Sequence, residues 1–147
     1  MSNIDLTKIS DDLFTLLMQL NSKVFNQDKM VRCSPLPQSH VKVIFHLFNN
    51  GSSSISDIAS KLEISKPNMT PVIDKLLSEG LVYRKEDPND RRIVRIDLTQ
   101  KAHDMAVEHK KRLKDILLSK LMTLSDEDLV SMEDLVSNLA KIISKLK

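Results

Sequence analysis

Three groups of side chains in this 147-residue chain have types and spacing from which chemistry could be built. The first is cationic. Arg91 and Arg92 stand side by side at the end of the turn-forming run Asp87-Pro88-Asn89-Asp90, and paired guanidinium groups on an exposed tip suit an anionic partner such as phosphate. The second is the polar run Ser65-Lys66-Pro67-Asn68-Met69-Thr70, with Pro71 and Lys75 beyond it. Hydroxyl, amide and ammonium groups on one helix face can hydrogen-bond base edges or phosphate oxygens. The third is a set of metal- and redox-capable groups: Cys33, His40, His46, His103 and His109. No two of these histidines have the His-x3-His spacing that would place both on one helix face, so no metal site is encoded locally. Cys33 is the one cysteine, which excludes an internal disulfide and suits a reducing compartment. Arg32 beside it could lower the thiol pKa, so a redox sensor is the sharper alternative to a plain loop cysteine.

Composition removes most other function classes. Only Gly51 and Gly80 are glycines, too few for a phosphate-cradling or dinucleotide-binding loop. No Ser/His/Asp or Cys/His arrangement has a recognisable local signature, so neither an enzyme nor a cofactor is expected. Aromatics are 3% (Phe14, Phe25, Phe45, Phe48, Tyr83), which argues against a stacking platform for single-stranded bases. No apolar run reaches membrane-spanning length, and the N-terminus is acidic and polar, so a cytoplasmic protein is expected. The net charge of +2 permits an anionic partner without demanding one.

These candidate groups need elements to position them. Leu6, Ile9, Leu13, Leu16, Leu17, Leu20 and Val24 form one stripe of a long helix from Ile4 to about Val31, which Pro35 and Pro37 then break. A second helix runs from about Gln38 to Phe48, and Asn49–Ser53 is a turn. Ser54 and Asp57 make a capping box for a short helix through Leu62. Glu63-Ile64-Ser65 connects it to a further helix ending near Glu79, where Gly80 and Leu81 predict a left-handed Schellman cap. Helix, short turn and helix is the arithmetic of a helix-turn-helix. The period then changes to two: Leu81–Glu86 and Ile93–Leu98 read as strands, with Val94, Ile96 and Leu98 on one face and Arg95 and Asp97 on the other. A hairpin following a helix-turn-helix is a winged helix. Thr99 caps a fifth helix to about Met122, and Ser125 with Asp128 caps the last one, striped by Leu129, Met132, Val136, Leu139, Ile143 and Leu146. Long stripes at both ends predict an apolar homodimer interface.

The runs Ser54-Ile55-Ser56-Asp57-Ile58-Ala59, Ser65–Thr70, Leu76–Val82, Asp87–Arg92 and Ile96-Asp97-Leu98-Thr99 resemble the successive signatures of the MarR family of bacterial transcription regulators. The Asp-Pro-Asn-Asp-Arg-Arg wing with its following strand and Leu-Thr is the most specific part, and the likeness extends over essentially the whole chain. It implies a mainly α fold with a two-stranded β-wing: dimerisation helices at residues 1–37 and 100–147, and a winged helix-turn-helix at 38–99. It further implies a homodimer on a pseudo-palindromic double-stranded DNA operator, commonly a repressor released by a small molecule, an oxidant or a metal. The expected DNA-binding set is Ser54, Ser65, Lys66, Pro67, Asn68, Thr70, Pro71, Lys75, Asn89, Arg91 and Arg92. Asn68 suits adenine, Lys66 guanine or phosphate, and Thr70 phosphate or a thymine methyl, while Arg91 or Arg92 would enter the minor groove. Asp90 is expected to brace the arginines or the turn.

Several positions depart from the family pattern. Pro71 stands where the family often has arginine, and inside a helix it removes a donor; the recognition helix then either starts late, with Asn68 as its cap, or kinks. Ala102 replaces a common glycine. His40 and His109 resemble two ligand positions of the family's zinc-sensing branch, and Asp28 or Cys33 could complete a site. Ser39 and Leu113, however, occupy the branch's other ligand positions, so no metal is expected. Peroxide-sensing members carry their cysteine early in the first helix, where this chain has Leu13 and Phe14. The alternative from another class is a winged-helix module for protein–protein assembly, which would expose apolar rather than polar side chains on the recognition face.

Overall fold

A computed structural model describes residues 4–24 and 35–147. In chain order the elements are α1 (Leu6–Lys23), α2 (Gln38–Asn50), β1 (Ser53–Ser54), α3 (Ile55–Lys61), α4 (Lys66–Ser78), β2 (Val82–Glu86), β3 (Val94–Leu98), α5 (Gln100–Leu121) and α6 (Asp126–Ile143). The mainly helical, winged architecture is the one expected. The chain divides into two compact units, one of Met1–Asn26 with Leu113–Lys147 and one of Gln27–Arg112. Among the described residues no helix is long and apolar enough to cross a membrane.

The core of the Gln27–Arg112 unit follows from helical spacing. Val43, Ile44 and Leu47 of α2 meet Ile58 and Ala59 of α3, Met69, Ile73 and Leu76 of α4, and Ala102 and Ala106 of α5, with Leu81, Val82 and Ile96 closing the cluster. Steps of three and four residues along α4 put its three core side chains on one face. The sheet has one strand more than the expected hairpin. Its order is β1-β3-β2, all antiparallel, with Ser53 opposite Ile96, Ser54 opposite Arg95, and Val82 opposite Leu98 through to Glu86 opposite Val94. Two serines carry no alternation, so β1 reads as turn in the sequence and becomes strand only by pairing with residues some forty positions away. The expected apolar face of β3 is also shortened. Ile96 is fully buried and Leu98 half-buried, but Val94, toward the tip and past the edge of the core, is exposed.

Caps set the boundaries. The hydroxyl of Ser54 accepts the Asp57 amide at 3.1 Å, starting α3 as expected. α4 closes in a Schellman motif: Leu81 N–H donates to the Leu76 carbonyl at 2.9 Å and Gly80 N–H to Leu77 at 3.1 Å, with Gly80 at φ 68°. α3 closes in the same way without glycine. Ile64 N–H donates to Ala59 and Glu63 N–H to Ser60, and Glu63 sits at φ 54°. Thr99 Oγ1 accepts the Ala102 amide at 3.3 Å and donates to the Gly80 carbonyl at 2.8 Å, joining the start of α5 to the end of α4. α1 is described to Lys23 with Val24 as its C-cap, so the rest of the expected first helix, and Asp28, Arg32 and Cys33, lie outside the described residues.

In the Met1–Asn26 with Leu113–Lys147 unit the balance is different. Neither α1 nor α6 has a buried residue. Leu6, Phe14 and Leu17 on α1, and Val130 and Leu135 on α6, are all more than half exposed.

Candidate nucleic-acid interface

α3, the four residues after it and α4 form the helix-turn-helix. Ser65 is the N-cap of α4 by its backbone (φ −62°, ψ 147°), and its hydroxyl takes no capping bond. Pro67 lies in the first turn, where its missing N–H costs nothing. The helix begins at Lys66 and continues through Pro71, so the late start with Asn68 as cap does not occur. Asn68 and Met69 N–H groups both donate to the Ser65 carbonyl, at 3.0 and 2.9 Å. That fixes the first turn around Ser65, and Pro71 leaves only the Pro67 carbonyl without its helical donor.

This geometry sorts α4 into two faces. Met69, Ile73 and Leu76 are buried, while Ser65, Lys66, Pro67, Asn68, Thr70, Pro71 and Lys75 are all exposed. Thr70 Oγ1 donates to the Lys66 carbonyl at 3.1 Å, which commits its hydroxyl proton and leaves the methyl and oxygen lone pairs outward. Lys75 pairs with Glu79 at 3.3 Å. Ser54, half-buried at the start of α3, accepts an amide and keeps its own proton.

The wing carries Asn89, Arg91 and Arg92, all exposed. Asp90 braces the tip as expected: its Oδ1 accepts the Arg92 amide at 3.0 Å and Arg92 Nε at 3.4 Å. Beneath the tip, Asp87 accepts the Asn89 and Asp90 amides through Oδ1, at 2.8 and 3.2 Å, and Arg95 Nη1 through Oδ2 at 2.7 Å. Arg95 also donates to Ser52, from Nη2 to the carbonyl at 2.7 Å and from Nε to the hydroxyl at 3.2 Å. The hydrogen bond from Arg95, then those from the two loop amides, hold the Asp87 carboxyl below its ordinary pKa. Lys85 pairs with Asp97 at 2.9 Å, and that hydrogen bond raises its pKa. Alternation along β3 could place Arg95 on the polar face, but not its partners: Ser52 is 43 residues away in sequence.

The cations are partitioned by these pairs. From Ser53 to Leu98 there are eight Lys/Arg and eight Asp/Glu. Lys75, Arg84, Lys85, Arg92 and Arg95 each have an acidic partner. Among the described residues Lys61, Lys66 and Arg91 have none.

The histidines are engaged elsewhere. His109 lies against Phe45 with centroids 5.3 Å apart, His103 against Phe48 at 5.1 Å, and His46 Nε2 is 3.4 Å from the Ser53 hydroxyl. His40 Nδ1 is 3.2 Å from Ser39 Oγ, and its buried Nε2 has no partner among the described residues. Among the described residues no three His, Cys, Asp or Glu side chains are disposed to hold a metal. Within the same unit, α2 and α5 bound a cleft of about 370 Å³, lined by Leu36, Val41, Ile44, Phe45 and Met105 together with Asp104, Glu108, His109 and Arg112.

Comparison with known proteins agrees with this arrangement. The MarR family model matches residues 36–94, from just before α2 to the first residue of β3. The uncharacterized HTH-type transcriptional regulator YfiV of Bacillus subtilis is 33% identical over 114 residues, covering 76% of this chain and 69% of YfiV. The transcriptional repressor MprA of Escherichia coli is 30% identical over 99 residues, covering 65% of this chain and 56% of MprA. FabT of Streptococcus pneumoniae, solved in complex with DNA, shares the fold with a TM-score of 0.64 at 20% identity, covering 97% of this chain and 100% of FabT. With a helix-turn-helix whose second helix turns a polar face outward, a double-arginine wing beside it, and these relatives, the chain belongs to the MarR family of transcriptional regulators.

Proposed function

We propose that this protein binds double-stranded DNA sequence-specifically as a homodimer, represses from a pseudo-palindromic operator, and is released by a small molecule. The observation that carries the reading is the two-faced α4, which buries Met69, Ile73 and Leu76 and turns Ser65, Lys66, Asn68, Thr70 and Lys75 to solvent. An assembly surface would be apolar there; amide, hydroxyl and ammonium groups are what base edges and phosphates require. Asn68 reads adenine and Lys66 a guanine or a phosphate. Thr70, its proton committed, offers its methyl to thymine. Ser54 and Ser65 donate to phosphate, and Pro67 and Pro71 pack against the backbone. Asn89, Arg91 and Arg92 enter the minor groove.

Residues 38–99 are the DNA-binding region in this reading, and residues 1–37 and 100–147 pair two copies so that recognition helices fall about 34 Å apart, one turn of duplex. The exposed apolar stripes of α1 and α6 support that pairing. Repression is inferred from the likeness to the transcriptional repressor MprA. The cleft between α2 and α5 falls in the size range of small-molecule sites, and its apolar wall with Asp104, Glu108, His109 and Arg112 suits a small amphipathic effector. The protein acts in the cytoplasm, without cofactor, membrane or catalytic step.

Selection of bound duplexes from a randomised pool, followed by a salt titration of the winner, tests this. A two-fold symmetric site should emerge, and log affinity should fall linearly with log salt. If the three cations of each winged region that lack an acidic partner, Lys61, Lys66 and Arg91, all meet phosphate, the slope for two heads is about −5. No enrichment, with weak binding that vanishes at modest salt, would overturn the proposal.

A further inference from the structure

Resting on the DNA-binding reading above, we propose that Pro71 turns the Pro67 main-chain carbonyl into a base-reading group, an acceptor for the exocyclic amino group of cytosine or adenine in the major groove. At about 100° per residue, Pro67 and Pro71 fall almost directly opposite Met69, Ile73 and Leu76, which are fully buried. The middle of the outward face of α4 therefore carries two exposed prolines one turn apart, with Asn68 and Lys75 to one side and Thr70 to the other. Neither ring bears a hydrogen-bonding group. In an uninterrupted helix the Pro67 carbonyl would take the N–H of residue 71, and proline has none. The Thr70 hydroxyl does not replace that donor, because it donates to the Lys66 carbonyl at 3.1 Å. Asp74, next on the same strip, is a second acceptor there, and Arg84 engages it at 3.6 Å. The centre of the face thus keeps an acceptor whose helical donor is missing.

A main-chain carbonyl is held in place by the helix, so reading with it costs no side-chain entropy. In the major groove cytosine offers its N4 amino group and adenine its N6 amino group, whereas guanine O6 and N7 and thymine O4 are acceptors. An acceptor set against an acceptor leaves both desolvated and unpaired, so guanine or thymine at that position is disfavoured. Packing of the proline rings against the DNA backbone carries no base preference, so discrimination at the centre of the face falls to the carbonyl.

The test crosses a protein change with a DNA change on the duplex that the wild-type protein selects. Pro71→Ala restores the N–H, closes the carbonyl within the helix and favours helix formation. In the DNA, each cytosine or adenine of the site is replaced in turn, in both half-sites, by 2-pyrimidinone or purine, which lack only the amino group. The weakened base pair affects both proteins alike, so the ratio of their losses isolates the contact. At one position the deletion should weaken wild-type binding about fivefold per half-site and Pro71→Ala binding by less than about twofold. Pro71→Leu, with the same N–H and a bulkier side chain, should give the same ratio and covers poor folding of the alanine variant. Reselection with Pro71→Ala should lose the cytosine or adenine preference at that position and keep the others. Equal sensitivity of the two proteins to every deletion, or a wild-type protein indifferent to all of them, would overturn the proposal. A difference seen only when thymine is replaced by uracil would also overturn it, assigning the effect to ring packing on a methyl group. These outcomes leave the DNA-binding reading intact, whereas failure of the wild-type protein to select any duplex would overturn both.

Discussion

Asp87 divides its two carboxylate oxygens between Arg95, at 2.7 Å, and the amides of Asn89 and Asp90. Both interactions favour the charged form, so its folded pKa lies below the unfolded value of about 3.9. The sign of the linkage follows: Asp87 contributes stability that is fully present above the unfolded pKa and is lost as pH falls through the lower folded one. Urea unfolding of wild type and Asp87→Asn should therefore show wild type the more stable at pH 6 and the gap closing once the pH is well below 3.9. A gap independent of pH would mean that the carboxylate charge contributes nothing. Side chains paired within a few residues were legible in the sequence, as with Asp90 and Arg92 across a two-residue turn. Arg95 was not, because its partner Ser52 becomes a neighbour only once β1 has paired with β3.

At the scale of elements, α3 and α4 end in the same hydrogen-bond pattern with different residues in the left-handed position, Glu63 at φ 54° and Gly80 at φ 68°. Glycine announces such a cap in sequence, whereas glutamate carries no signal for it, so the α4 ending was predictable and the geometry of the α3 ending was not. A Cβ in this region costs roughly 1–2 kcal/mol, partly offset by the greater chain entropy that glycine loses on folding. Glu63→Gly should accordingly stabilise the protein by up to about 1 kcal/mol in a denaturant titration. A destabilised Glu63→Gly would indicate that the Glu63 side chain, rather than its backbone, holds the turn. The same logic explains the tolerance of Pro67 and the cost of Pro71. Proline in a first turn removes an amide that has no helical partner, but further in it leaves a carbonyl unpaired. The helix nevertheless continues through Pro71, with Met69 before it and Ile73 and Leu76 after it anchored in the core.

Across the whole molecule, apolar surface is distributed unevenly. Among the described residues the Gln27–Arg112 unit buries a cluster of thirteen apolar side chains, whereas α1 and α6 bury none although their sequences are striped at helical spacing. The stripes were legible, and so was the need for something to cover them, from which the pairing with a second copy is proposed. Fully burying a leucine-sized side chain is worth about 1.5–3 kcal/mol, so a row of half-exposed leucines, valines and isoleucines is a large unrealised stabilisation unless a second copy covers it. The proposed operator binding depends on this pairing. The helix-turn-helix and wing carry as many acids as bases, which leaves few free cations per head, and one head alone would hold DNA weakly. Linking two heads multiplies affinity by roughly 10² or more without a new contact. Leu135→Asp, which sets a charge on the exposed stripe of α6, should convert a micromolar dimer into a monomer in sedimentation velocity. It should lower operator affinity at least a hundredfold with the winged region still folded. A wild-type protein that sediments as a monomer at micromolar concentration, or a Leu135→Asp variant that remains dimeric and binds as before, would separate the apolar stripe from DNA recognition and require another partner for α6.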